Sequence, residues 1–353
     1  MLVLWIAVIV SGVALIVWGA ETFAEHLGAA AVRLRVSSFA LALLLAGAEP
    51  EELATAVTAS LRDTPAIAFG DVIGANIAVP LNMRYTLDRQ GKGFSFLFVP
   101  HQIGNRYIAI CLVALGVGAL VAPLPFGARV MRYALFGLPI GVLATGFVWD
   151  GHISRAEGWL LIGLYVLYVS GIWLVERHPP ALGETGELEE AAERLEAEQA
   201  KGLQHWLRQD LFLVLAGVTA MIIGSILLVE AVRQISQVEA TQTKLGLTLV
   251  GFATAFELVV LAWSTARRGA TEAAVAGVVG SFTYNVTMTL GAAAVARPLT
   301  IVDAGLLHFP LLVMLGALVL VILLATAKNS LGKVAGGVLV TAYPIFILAL
   351  LLL

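Results

Sequence analysis

The sequence predicts an all-α, multi-pass membrane protein of about ten transmembrane helices arranged as two inverted repeats. Three observations carry that expectation. The 353 residues are 59% hydrophobic and 13% charged, with a mean hydropathy of +0.93. A soluble chain of this length cannot bury so much apolar surface, and several runs approach the ~20 residues that span a bilayer. No run shows the alternation of a membrane β-barrel. The stretch 41–83 recurs 206 residues later, carrying Glu51 onto Glu257, Arg62 onto Arg268, Val72 onto Val278 and Gly74 onto Gly280. Duplicated halves with a polar break in matching apolar segments are the sequence pattern of a secondary transporter.

Taken in order, apolar segments fall near 2–19, 37–61, 65–83, 104–122, 129–148, 156–175, 210–231, 242–266, 271–292, 304–325 and 332–352. The first enters directly at Met1-Leu2-Val3-Leu4-Trp5 with no basic n-region, and is read as a retained span. The chain then divides into a first membrane half, 1–175, with repeat motif 41–79 and an insertion near 80–107. An acidic loop, 176–209, joins it to a second half, 210–353, with repeat motif 246–291. If all eleven segments crossed, Lys and Arg would show no bias between the two sides. If 65–122 makes one net crossing, the loops at 20–36, 123–132, 176–209, 267–272 and 327–333 carry twelve basic residues. The opposite side carries five: Arg62, Arg155, Arg233, Lys244 and Arg297. The positive-inside rule then selects ten crossings, both termini outside and the acidic loop in the cytoplasm. Repeats five crossings apart are necessarily inverted.

Composition also excludes functions. One cysteine, Cys111, allows no intramolecular disulfide. The six histidines are scattered without H-E-x-x-H spacing, no Walker loop is present, and no basic aromatic patch would hold nucleic acid. No nucleophile–base pair or metal triad is apparent, so the expectation is a transporter rather than an enzyme, without a resident cofactor.

Chemistry concentrates in two polar breaks. Gly47-Ala48-Glu49-Pro50-Glu51-Glu52-Leu53 sets three carboxylates around a proline between apolar runs. Proline removes a backbone donor and frees carbonyls, as in discontinuous transport helices, and carboxylate with carbonyl oxygens is the ligand set of hard cations. In the matching stretch Gly246 to Leu258, Glu257 is a lone charge. Ionisable groups at mid-membrane cost roughly 2.5–3.5 kcal/mol each on insertion scales, so they usually face a cavity or an ion path.

These residues resemble the calcium/cation antiporter superfamily, whose best-known branch is the sodium/calcium exchangers. Each repeat of that family carries a G-T-S-x-P-E motif and, on the next helix, G-S-N-x-x-N/D. Gly47 to Leu53 aligns to the first motif without gaps, while Gly74-Ala75-Asn76 and Gly280-Ser281-Phe282-Thr283-Tyr284-Asn285 look like the second. Asp150 to Gly158 is similar to the family's D-G-x-x-x-R-x-E-G linker. The chain departs from the pattern where Ala48-Glu49 replaces Thr-Ser, where Glu257 falls in the Pro slot, and where Val79 fills the distal Asn/Asp slot. A glutamate four residues past the glycine slot is similar to the G-N-x-x-E motif of the calcium/proton branch.

The resemblance implies a sodium/calcium exchanger-like fold in a prokaryotic inner membrane. It implies antiport of Ca2+ or a related cation against H+ or Na+ by alternating access. A monovalent cation/proton exchanger, or a non-transporting sensor or scaffold, remains the alternative. The cation-binding set is Glu49, Glu51, Glu52, Thr254, Glu257, Asn285, Asn76 and Ser281, with Glu51, Glu52 and Glu257 as the metal ligands.

Overall fold

The structure is a computed structural model that describes residues 2–33, 49–77, 115, 117, 119–176, 205–255, 271–326 and 330–352. Glu257, Gly47-Ala48, Val79, Cys111, the insertion near 80–107 and most of the acidic loop (177–204) lie outside the described residues. Helices α1 (Leu2–Arg33), α2 (Pro50–Leu61), α3 (Pro65–Ile77), α4 (Ala128–Val148) and α5 (Arg155–Glu176) form the first half. In the second half α6 is His205–Ile235, and α7 is Glu239–Leu245 continuing through a π-helical turn, Gly246–Val250. Helix α8 runs from Thr271–Tyr284 through a second π turn, Asn285–Thr289, to Leu290–Ala296. Helices α9 (Gly305–Thr326) and α10 (Lys333–Leu352) complete it. Seven of the described helices are long and apolar enough to cross a membrane. Their outer faces expose Trp18, Leu167, Phe212, Leu323 and Leu348, as a lipid-facing surface requires.

Contacts between loops sort the helix ends onto two faces. At one end the α2–α3 turn meets the end of α8. There Arg297 pairs with Asp63 at 2.7 Å, and Ser60 Oγ donates to the carbonyls of Ala293 and Arg297 at 2.7 and 2.9 Å. The same end holds an antiparallel pair between β2 (His152–Ile153) and β3 (Leu299–Thr300). Glu239, at the α6–α7 turn, accepts there from the backbone N–H of Val302 at 2.9 Å. At the other end β1 (Leu124–Pro125) pairs with β4 (Ser330–Leu331), and Arg132 pairs with Glu176 at 2.7 Å. His26 there meets Asp210 at 3.0 Å.

These anchors fix every helix direction. Helix α1 runs antiparallel to α6, and each of α1–α5 points opposite to its counterpart in α6–α10. The two halves are therefore inverted. Pro65 starts at the first end and Leu124 lies at the other. Arg62, Arg155, Arg233 and Arg297 gather at the first end, the grouping that the charge count required.

Local chemistry explains several boundaries. Pro50 occupies the first turn of α2, where its missing N–H costs nothing. Ser154 and Glu157 make a capping box at the start of α5: Ser154 N–H donates to Glu157 Oε2 at 2.8 Å, and Glu157 N–H donates to Ser154 Oγ at 3.3 Å. The Asp-Gly turn before it works through Gly151 at φ +73 and Asp150, which accepts His152 N–H at 2.9 Å. The linker motif is thus a turn with a helix cap.

Close packing uses glycine. On α1 and α6, Gly12 faces Gly224 and Gly19 faces Gly217, so the two backbones touch. The α3–α7 seam is as tight: a Cβ built on Gly74 would lie 2.5 Å from Leu247 O, and one on Gly251 would lie 2.5 Å from Ala75 N.

Candidate cation site between the repeats

The polar residues missing from the lipid face are found at the centre, where α2, α3, α7 and α8 meet. Glu49, Glu51, Glu52 and Asp71 are all buried, together with Thr55, Thr254, Ser281, Thr283, Asn285, Thr287 and Thr289. No Lys, Arg or His is buried among the described residues. Glu52 stands ten residues before the α2–α3 turn and Asn285 twelve before Arg297. At a rise of about 1.5 Å per residue both lie about 15–18 Å inside, near the middle of a ~30 Å hydrocarbon core.

Two hydrogen bonds tie the repeats across this centre. Asn285 Nδ2 on α8 donates to Glu49 Oε2 at 3.1 Å, just ahead of α2. Thr254 Oγ1, beyond the π turn of α7, donates to Asp71 Oδ1 on α3 at 2.9 Å. Asn285 also reaches Ser281 Oγ at 3.3 Å, and Thr289 Oγ1 donates to Asn285 Oδ1 at 3.2 Å, which fixes the amide's orientation. The π turns place both partners. Asn285 opens one, and Thr254 follows the other and lies 3.2 Å from Val250 O.

The carboxylates are left under-satisfied. No hydrogen-bond donor among the described residues reaches Glu49 Oε1, Asp71 Oδ2 or either oxygen of Glu52. Glu52 sits beside Glu49, with Asp71 and Glu51 within electrostatic reach. Fully ionised carboxylates packed this way in low dielectric, with no buried basic group, need cations or protons as counter-charges. Among the described residues no three acidic or imidazole side chains converge on a single metal-sized point.

Of the expected set, the fold brings Glu49, Glu51, Glu52, Ser281 and Asn285 to the centre, and Thr254 to the adjoining seam. It does not bring Asn76 there. Asn76 donates to Met314 Sδ at 3.7 Å and lines a small, mostly apolar cavity with Leu115, Val279, Phe282 and Leu318. Among the described residues its side-chain amide meets α9, and its Oδ1 is buried without a partner. The expected meeting of Glu51 and Glu52 with Glu257 falls outside the described residues. Asp71 went unrecognised in the sequence because its counterpart in the second repeat is Gly277, so matching carboxylates between repeats passes over it. A search for any ionisable residue inside an apolar run would have found it.

Inverted halves enclosing buried carboxylates at mid-membrane, with no buried basic group among the described residues, define the class: a secondary transporter of cations. Comparison with known proteins agrees. The pattern of the family described as "Sodium/calcium exchanger protein" matches residues 4–81 and 210–352. The chain belongs to that family. It is an integral membrane cation antiporter, not an enzyme, and inorganic cations are its substrates. It is 24% identical over 351 residues, 97% of each chain, to the provisionally named antiporter CaxA of Alkalimonas amylolytica. It is 26% identical over 204 residues to the inner membrane protein YrbG of Escherichia coli (strain K12), a match spanning 57% of this chain and 61% of that relative's length. The fold is similar to that of the sodium-calcium exchanger NCX_Mj, with a TM-score of 0.57 and 19% identity over 98% of both chains.

Proposed function

We propose that the chain exchanges Ca2+, or a related cation, for H+ or Na+ by alternating access across a prokaryotic inner membrane, with both termini outside. Glu51, Glu52 and Glu257 carry the cation, and Glu49, Asn285, Ser281 and Thr254 supply further oxygens. The observation that carries this reading is Glu52: fully buried, beside Glu49, with neither oxygen reached by a donor among the described residues. Such a carboxyl pair holds a cation in one half of the cycle and protons or a second cation in the other. Empty and fully charged, it is too costly to cross between open states. The inverted halves provide two equivalent pathways to the same centre.

The test is Ca2+ uptake into proteoliposomes under an imposed H+ or Na+ gradient. Glu52→Gln should abolish it, and wild-type flux in that variant refutes the assignment. A monovalent cation/proton exchanger is the second reading, favoured by the absence of a three-carboxylate cage among the described residues. In that case Na+ or K+, but not Ca2+, dissipates a proton gradient in the same vesicles.

A further inference from the structure

A second ionic cluster lies outside the centre, at the end of the bundle where β1 pairs with β4. The Glu176 carboxylate closes α5 there and is nearly buried, its side chain 5% exposed. It accepts from Arg132 and from the Tyr133 hydroxyl, each at 2.7 Å, and Arg129 Nε lies 3.5 Å away. The side chains of Arg129 and Arg132 stay 48% and 44% exposed. One carboxylate thus fixes two arginines in place and leaves one positive charge over. Both arginines stand in the first two turns of α4, which has no acidic residue in its first turn and no side-chain cap. The positive end of a helix dipole disfavours cations, so this placement calls for a further anion. The β1–β4 pair sets the start of α10, with exposed Lys333, at the same end of the bundle. Leu135 and Phe136 on α4, Leu174 and Val175 on α5 and Val334 on α10 are exposed apolar residues close in sequence to these charges. The cations therefore stand where lipid-facing surface gives way to the headgroup layer.

We infer that Arg129 and Arg132 hold the phosphate of an anionic phospholipid, with Lys333 adding positive charge at the same end. The charge argument is direct: a phosphodiester carries one negative charge, which balances the one left over. A zwitterionic lipid brings its own ammonium group and gains less. The geometry agrees, because guanidinium forks match phosphate oxygens, and basic clusters between helices at headgroup depth are the general form of such sites. Glu176 and Tyr133 hold the arginines beforehand, so little side-chain freedom is lost on binding. The inference concerns the lipid and not the transported ion, and it holds whichever cation the centre carries.

The test follows thermal unfolding of the purified full-length protein in detergent against added phosphatidylglycerol and, separately, phosphatidylcholine with the same acyl chains. Wild type should reach half-maximal stabilisation at about ten-fold less phosphatidylglycerol, since each basic residue adds to the attraction. In the double variant Arg129→Gln with Arg132→Gln the two lipids should act alike. Arg129→Gln alone decides the matter if the double variant does not fold, because Arg132 and Tyr133 still hold Glu176; its preference should fall to about three-fold. Glu176→Gln moves the other way: it keeps an acceptor for Tyr133 but releases both guanidinium groups, so the preference for phosphatidylglycerol should grow. A cluster that serves only to hold α4 against α5 would lower stability in all these variants without changing the preference, and that result overturns the inference. Equal action of the two lipids on wild type overturns it too, as when the chain's own acidic stretch 177–204 covers the arginines. Inorganic phosphate that stabilises wild type as well as phosphatidylglycerol does, at the same concentration, points to a soluble anion and overturns the assignment to lipid.

Discussion

Gly74→Ala is the sharpest mechanical test of the α3–α7 seam. The added methyl carbon would lie 2.5 Å from Leu247 O and 2.8 Å from both Leu247 C and Leu247 Cα. A comfortable carbon–oxygen contact is about 3.3–3.6 Å, so the helices must part by about 0.8 Å. The obstacle is backbone, so no rotamer change relieves it. Two effects compete. Ala gains about 1 kcal/mol of helix propensity over Gly, while overpacking a tight seam costs about 1–3 kcal/mol. The clash equals or outweighs that gain, for a net loss of about 0–2 kcal/mol. Function should suffer more than stability: adding about 0.8 Å to the 2.9 Å Thr254–Asp71 bond takes it past the limit of a hydrogen bond. Thermal unfolding in detergent and uptake in proteoliposomes read the two effects. Gly163→Ala is the control, since nothing lies within 4 Å of a Cβ built there, and it should leave stability equal or higher. A Gly74→Ala protein that melts at or above wild type and transports normally would show that the seam is not closed as described.

Asn285→Ala removes the donor to Glu49 Oε2 and the acceptor for Thr289. Buried hydrogen bonds in membrane bundles average about 0.6 kcal/mol, so melting should fall only slightly while cation affinity drops. A large stability loss with unchanged affinity would reverse that assignment. Cations bind the ionised carboxylates, so protons compete. The Ca2+ concentration for half-maximal uptake should therefore rise as pH falls from 8 to 6, and a pH-independent value would remove the carboxylates from the ion path. Arg297→Ala breaks the pair with Asp63, whose side chains are 46% and 68% exposed. Solvent-screened pairs contribute about 0–1 kcal/mol, so unfolding should barely change; a large shift would mean that this bridge holds the α2–α3 turn.

Much of this was legible in the residues because lipid imposes a simple code. Apolar runs must be helices, ionisable groups inside them must have a purpose, and basic residues mark one face. The runs 129–148, 156–175, 304–325 and 332–352 became α4, α5, α9 and α10 within a residue or so at each boundary. The first run continued past its apolar stretch to Arg33, and His26 in that extension meets Asp210 of α6, a contact that a hydropathy window does not register. Glu49, Glu51 and Glu52 stood out because three acids beside a proline have no other reason to interrupt an apolar stretch.

Partners across the chain were not legible. Asp71 meets Thr254 from 183 positions away and Glu49 meets Asn285 from 236, and no local pattern records either pairing. Asn76 shares its motif with the central residues, yet the turn of α3 carries its amide to Met314. The amino-acid order by itself determined that this is a duplicated, membrane-spanning helical chain with acidic breaks, because hydrophobicity and period act over neighbouring residues. Only the packed tertiary structure decided which oxygens face one another, because glycine contacts between inverted halves set each helix's rotation and depth.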